Sequence, residues 1–138
     1  MNETQMTATG TALLRITLGI AALAHGLLKI FVFTLAGAAG FFESLGLPGF
    51  LAYVVTFAEI VGGVMLIAGF QTRAAALALI PVLLGATWAH AGNGWVFSSE
   101  GGGWEYPLFW TLTLGAQALL GSGAYAVDDM VARKAQTA

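Results

Sequence analysis

The sequence predicts an all-α fold: a four-helix transmembrane bundle, a single domain over residues 1–138, with both termini on the cytoplasmic side. Three observations predict it. The chain is 58% hydrophobic and only 9% charged, with a mean hydropathy of +0.83; a soluble domain carries about 25% charged residues. Four apolar segments follow one another, each suited to a hydrocarbon core ~30 Å thick. The basic residues gather towards one side of the bundle those segments would form.

The first segment runs from about Thr11 to Leu35. Ala22-Leu23-Ala24 resembles a signal-peptide cleavage site, but Met1–Gly10 carries Glu3 and neither Lys nor Arg. Arg15 falls where a signal's apolar stretch belongs, so the segment is expected to be retained as a helix. The second segment, Phe50–Phe70, holds a single charged residue, Glu59, at its midpoint. The third runs from about Arg73 to Ala91 and contains Pro81, which a membrane helix tolerates with a kink. The fourth runs from about Tyr106 to Val127, with Pro107 in its first turn, where the missing N–H is harmless. Gln71-Thr72 is a tight turn that makes the second and third helices antiparallel neighbours. The other connections, Gly37–Gly49 and Gly92–Glu105, are longer and glycine-rich.

Arg15, Arg73, Arg133 and Lys134 lie towards the side of both termini and Lys29 towards the other, which assigns the termini to the cytoplasm and the long loops to the outside. That is the ordinary explanation of Arg15 and Arg73. Asp128-Asp129 and Arg133-Lys134 read as a short solvated tail. Trp95, Phe97, Trp104 and Tyr106 fit an interfacial aromatic belt. Arg15, Gly19, Ala22, Gly26 and Lys29 share one face of the first helix, and Ala52, Thr56, Glu59 and Gly63 one face of the second. Such small-residue stripes, with Gly62, let membrane helices approach closely; dimerisation through them is expected too.

Composition bounds the chemistry. A net charge of −2 gives no grip on nucleic acid. The absence of cysteine excludes disulfides, thiolate metal sites and thiol redox chemistry, and no other metal-ligand set stands out. Electron transfer would need a bound cofactor or a redox partner protein.

A carboxylate at the centre of a span costs about 2.5–3.5 kcal/mol on insertion scales, so Glu59 is expected to be paired within the bundle or to face a polar cavity. At ~1.5 Å of rise per residue, His25 lies ~15 Å and Lys29 ~21 Å above Arg15, Glu59 ~13 Å below the outer end of its helix, and His90 ~25 Å above Arg73. Glu105 opens the fourth helix on that outer side. His25, Lys29, Glu59, His90 and Glu105 are therefore the polar-pocket candidates, in the middle-to-outer half of the bundle, with Trp88, Tyr106, Trp110 and Gln117 as candidate walls. Plainer roles stand beside each: Lys29 snorkelling to the interface, His90 capping a helix end, Glu105 favoured by the macrodipole, and Gln117 in interhelical hydrogen bonding. A bis-histidine haem on His25 and His90 is disfavoured by their ~10 Å difference in height. Ala24-His25-Gly26 and Ala89-His90-Ala91-Gly92 form a weak echo, as two parallel hairpins would.

The motifs L-L-R-I-T-L-G (Leu13–Gly19), H-G-L-L-K (His25–Lys29), G-F-F-E-S-L-G-L-P (Gly40–Pro48), A-E-I-V-G-G (Ala58–Gly63), G-F-Q-T-R-A-A-A (Gly69–Ala76), H-A-G-N-G-W (His90–Trp95), W-E-Y-P-L (Trp104–Leu108) and Asp128 occur in that order. Together the pattern resembles the DoxX family of small four-helix bacterial membrane proteins, with no major departure. The resemblance implies an inner-membrane protein associated with oxidoreductases or redox-complex subunits. A relative, the DoxD-type subunit of thiosulfate:quinone oxidoreductase, suggests quinone as electron acceptor. It also implies that Arg15, His25, Lys29, Glu59, Arg73, His90, Glu105 and Asp128 are the motif positions to examine.

Two functions follow as expectations. The first is an accessory, quinone-linked subunit of a redox system, with aromatic walls around a headgroup and His25, Lys29 and His90 as donors. The second is a non-catalytic module that binds or transports a small solute, or a membrane scaffold for a partner protein, in which the buried charges fix helix register.

Overall fold

The computed structural model describes residues 1–136, with residues 133 and 136 described by backbone only. The last two positions of the single domain expected over 1–138, and the side chain of Arg133, lie outside that description. The described chain is all-helical: α1 Glu3–Phe31, α2 Leu35–Ser44, α3 Phe50–Ala68, α4 Thr72–His90, α5 Glu105–Leu120 and α6 Val127–Gln136, with a 3-10 turn at Ala91–Asn93.

α1 begins eight residues earlier than its apolar stretch. Asn2 and Gln5 form a capping box, in which Asn2 Oδ1 accepts from Gln5 N at 2.9 Å and Gln5 Oε1 from Asn2 N at 3.0 Å. These bonds satisfy donors that a helix start otherwise leaves exposed. α1 ends at Phe31 rather than Leu35, because Thr34, at φ 61°, breaks the helix and caps the next one by accepting from Gly37 N. The connection expected as a loop over Gly37–Gly49 thus contains most of α2, which lies against α3 and α1.

α3 stops at Gly69, which takes the left-handed conformation at φ 70°. A Cβ there would meet Arg15 Nη1 at 2.6 Å and Ala126 Cβ at 2.7 Å, so a side chain is excluded by space as well as by backbone angle. α4 follows after Gln71 and carries Pro81 in its interior.

The four longest helices close a ring: α1 packs on α3, α3 on α4, α4 on α5, and α5 back on α1. The α1–α3 contact is the most extensive. A Cβ on Gly19 would lie 2.8 Å from the Gly63 carbonyl oxygen, and one on Gly63 2.7 Å from the Leu23 backbone nitrogen. Gly62 lies against Leu79 of α4. The small-residue faces expected to bring copies of the chain together are therefore occupied inside one chain. The core between the helices is built from Leu18, Ala22, Leu66, Ala75, Leu79, Trp110 and Leu114.

The outer surface carries many large apolar side chains. Phe57, Phe109 and Leu119 are 68%, 70% and 83% exposed, and Leu13, Ile20, Leu77 and Leu112 also face outward. Apolar surface this extensive belongs against lipid, not water. By length and composition, three stretches can cross a membrane among the described residues: Glu3–Phe31, Phe50–Ala68 and Thr72–Asn93. The fourth span, expected over about Tyr106–Val127, is shorter. α5 has 16 residues, about 24 Å, and stops where Gly121 and Gly123 take φ 84° and 68°. The chain then turns across the end of the bundle into α6.

Candidate functional site

Glu59 is buried on the α1-facing side of α3, and its partner is Lys29. Lys29 Nζ donates to Glu59 Oε2 at 2.7 Å and to Oε1 at 3.0 Å, and it also reaches the His25 carbonyl at 3.4 Å. The side chains are 17% and 7% exposed, so the pair is largely withdrawn from solvent, where charge-assisted bonds are strong. Close helix approach makes this reach feasible. A Cβ on Gly26 would lie 2.6 Å from Ile60 Cγ1 and 3.3 Å from Glu59 Cβ, so Gly26 brings the α1 backbone against α3 at the depth of the carboxylate.

His25 sits one turn before Lys29 on α1. Its Nδ1 lies 2.9 Å from the Ala21 carbonyl oxygen, which can only accept, so Nδ1 carries a proton and Nε2 is the nitrogen left for another partner. The ring meets Trp110 of α5 edge-on, with centroids 4.9 Å apart and planes at 64°. Trp110 in turn tilts against Tyr106 at 5.9 Å. Its indole N–H is buried and has no acceptor among the described residues. An unpaired buried donor of this kind costs about 1–3 kcal/mol. Tyr106 is also a wall of an open cleft of about 260 Å³ at the start of α5, with Trp95, Phe97, Glu105 and Phe109. Aromatic rings thus run from a surface cleft through Trp110 to His25, beside the Lys29–Glu59 pair.

The other expected pocket members make no bond to that pair, although Glu105 lines the cleft beside Tyr106. His90 Nδ1 lies 3.0 and 3.1 Å from the carbonyl oxygens of Gly101 and Gly102, to which Asn93 Nδ2 also donates. Glu105 Oε1 accepts from the Phe97 backbone N–H at 2.9 Å. Both residues fasten the loop between α4 and α5, which is further held by Trp104 N to Gly94 O and by a Trp95–Trp104 edge contact at 4.7 Å. Neither has a hydrogen bond or ion pair with Lys29 or Glu59. His90 is the last residue of α4, whereas His25 lies inside α1. Trp88 points outward at 57% exposure. Gln117 is fully buried and donates from Nε2 to Gly121 O at 2.7 Å, closing the end of α5.

Two motif residues have larger structural roles than topology or a solvated tail implies. Arg15 is fully buried. Its Nε donates to Ser122 O, its Nη1 to Leu66 O and Ile67 O, and its Nη2 to Ala124 O and Tyr125 O, at 2.7–3.4 Å. All five donors of the guanidinium find carbonyls at the end of α3 and in the α5–α6 link. The available signal was its face: Arg15 lies on the same inward line as Gly19, Ala22 and Gly26. Asp128, in the first turn of α6, accepts from Gln71 N at 2.9 Å and from Ser122 Oγ at 3.1 Å, fastening α6 to the α3–α4 turn.

The DoxX family model matches residues 10–92. A protein of Bacillus subtilis (strain 168) named "Putative oxidoreductase CatD" is 42% identical over 77 residues. That match covers 56% of this chain and 56% of the relative, so the two are comparable over little more than half their length. No solved structure matches.

Proposed function

The chain belongs to the DoxX family, and we propose from that premise that it is a quinone-linked, accessory subunit of a membrane redox system. The observation that carries the reading is the buried Trp110 N–H without an acceptor, on a ring that touches both Tyr106 of the aromatic cleft and His25, one turn before Lys29. A quinone headgroup is flat and apolar, with two carbonyl oxygens that only accept. Aromatic walls and an unspoken-for donor fit such a group. Tyr106 and Trp110 would hold its face, and the Trp110 N–H would orient a carbonyl. When bound, a quinone supplies reversible two-electron, two-proton chemistry. The Lys29–Glu59 pair keeps one cation and one anion at this depth, and His25 Nε2 is free to take or pass a proton. The name carried by the Bacillus subtilis relative supports the redox assignment. With no cysteine and no flavin or dinucleotide motif in the sequence, electrons would come from a redox partner protein.

The same reading places the protein in the bacterial inner membrane. α5 serves as the fourth crossing, its short length completed by the link to α6, and both termini are cytoplasmic. Arg73 and Lys134 mark that side; Arg15, consumed in the core, is not needed for the assignment.

The test is binding. Full-length protein in neutral detergent is titrated with a short-chain quinone while tryptophan fluorescence is followed, and lipid extracted from the native preparation is assayed for quinone. Saturable quenching that His25→Ala and Trp110→Phe weaken, with thermal stability retained, supports the site. No extractable quinone and no saturable quenching in the wild type overturns it, leaving the buried charges as devices that fix helix register.

A further inference from the structure

A second pocket lies at the opposite end of the bundle. It has a volume of about 320 Å³ and is lined by Gln71, Thr72, Arg73, Ala74, Ser122 and Asp128. It opens at the N-terminus of α4, a helix of 19 residues that begins without a side-chain cap. Ala75 N bonds to Gln71 O, but the three amides before it, of Thr72, Arg73 and Ala74, have no acceptor among the described residues. Arg73 packs over Gly121, where a Cβ would meet its Nη2 at 3.4 Å. Its guanidinium has no hydrogen bond or ion pair among the described residues. Independently, the Thr72 hydroxyl is buried and unpartnered in a residue only 1% exposed that lines this pocket. Buried hydroxyls are otherwise hydrogen-bonded.

We infer that this pocket binds a phosphate group, carried by a lipid headgroup or free in solution. The free amides and the positive end of the helix dipole favour an anion, and Arg73 supplies the planar fork suited to phosphate oxygens. The Thr72 hydroxyl supplies a further donor. Asp128 is the one opposing charge among the lining residues, and both its oxygens already accept hydrogen bonds, from Gln71 N–H and from Ser122 Oγ–H. The level is that of a headgroup, since the candidate membrane span begins at Thr72 itself. This site is separate from the cleft at Tyr106 and does not depend on it.

Full-length isotope-labelled protein in neutral-detergent micelles tests the inference by the amide resonances of Thr72, Arg73 and Ala74. One arm adds inorganic phosphate against a chloride control of equal ionic strength; the other adds phosphatidylglycerol to the micelles against an equal amount of monoacylglycerol. Saturable shifts confined to the start of α4 in the lipid arm assign a headgroup, and in the phosphate arm alone a free anion. Arg73→Gln should weaken the response about 10- to 100-fold, with Arg73→Lys intermediate and Thr72→Val weaker than wild type. Should Arg73→Gln not fold, the wild-type titration and Arg73→Lys still decide. No saturation in either arm, shifts matched by the controls, or an undiminished response in a folded Arg73→Gln overturns the inference.

Discussion

Lys29 of α1 and Glu59 of α3 share one ion pair, 2.7 Å from Nζ to Oε2, at the depth where their helices are pressed together by Gly26. Each charge makes the other tolerable inside an apolar bundle, so the pair should behave as a unit. Glu59→Gln or Lys29→Met alone strands a charge and should destabilise by about 3–5 kcal/mol. The double variant Lys29→Met with Glu59→Leu should recover most of that loss. Unfolding of all three variants in mixed micelles measures the coupling; simple additivity would show that the pair contributes nothing as a pair.

The α1–α3 contact makes a steric prediction with its own control. Gly63→Ala places a methyl against the Leu23 backbone nitrogen and the Gly19 carbonyl, which cannot move aside as a flexible side chain could. Destabilisation of about 1–3 kcal/mol is expected. Gly85 lies within α4 with nothing within 4 Å of a Cβ, so Gly85→Ala should be neutral or stabilising by up to about 1 kcal/mol. Thermal unfolding of the two variants side by side separates crowding from helix propensity.

Arg15→Lys should not be conservative. An ammonium has three donors where the guanidinium uses five, and it cannot span Leu66 O and Tyr125 O at once. A loss of at least about 2 kcal/mol is expected, felt first where the α5–α6 link is held. Limited chymotrypsin digestion should cut the variant after Tyr125 faster than the wild type. Equal cutting rates would mean that the link is held by other contacts.

Much of this arrangement was legible in the sequence. The cost of an unpaired Glu59 and a height count along two helices are enough to put Lys29 and His25 among its candidate partners, because a known rise per residue fixes depth. Depth does not fix direction around a helix axis. His90 and Glu105 were therefore grouped with Glu59 from their height, while their side chains turn into the loop between α4 and α5. Helix ends were hidden for a different reason. No charged residue falls between Leu120 and Val127, so the run reads as continuous helix, whereas Gly121 and Gly123 break it with positive φ. α2 reads as loop from its glycines, and the Thr34 cap that starts it falls inside the stretch that reads as the first helix. The basic-residue count gives Arg15 a topological role because such a count ignores which way a side chain faces.

Topology has a direct test, helped by the absence of native cysteine. Gly101→Cys, in the exposed loop between α4 and α5, should react with an impermeant maleimide added to intact cells. Gln71→Cys, in the α3–α4 turn, should react only after lysis. The reverse pattern would invert the assigned orientation.

The bonds of Arg15 also impose an order in time. Ser122, Ala124 and Tyr125 lie 107, 109 and 110 residues downstream of it, so three of its five N–H groups have no acceptor of their own until α5 and the link after it have been synthesised. α1 therefore enters the bilayer ahead of the segment that completes the shell of its buried cation. Insertion of the early helices and closure of the bundle become separate events, and the α5–α6 link is the piece that turns the first into the second.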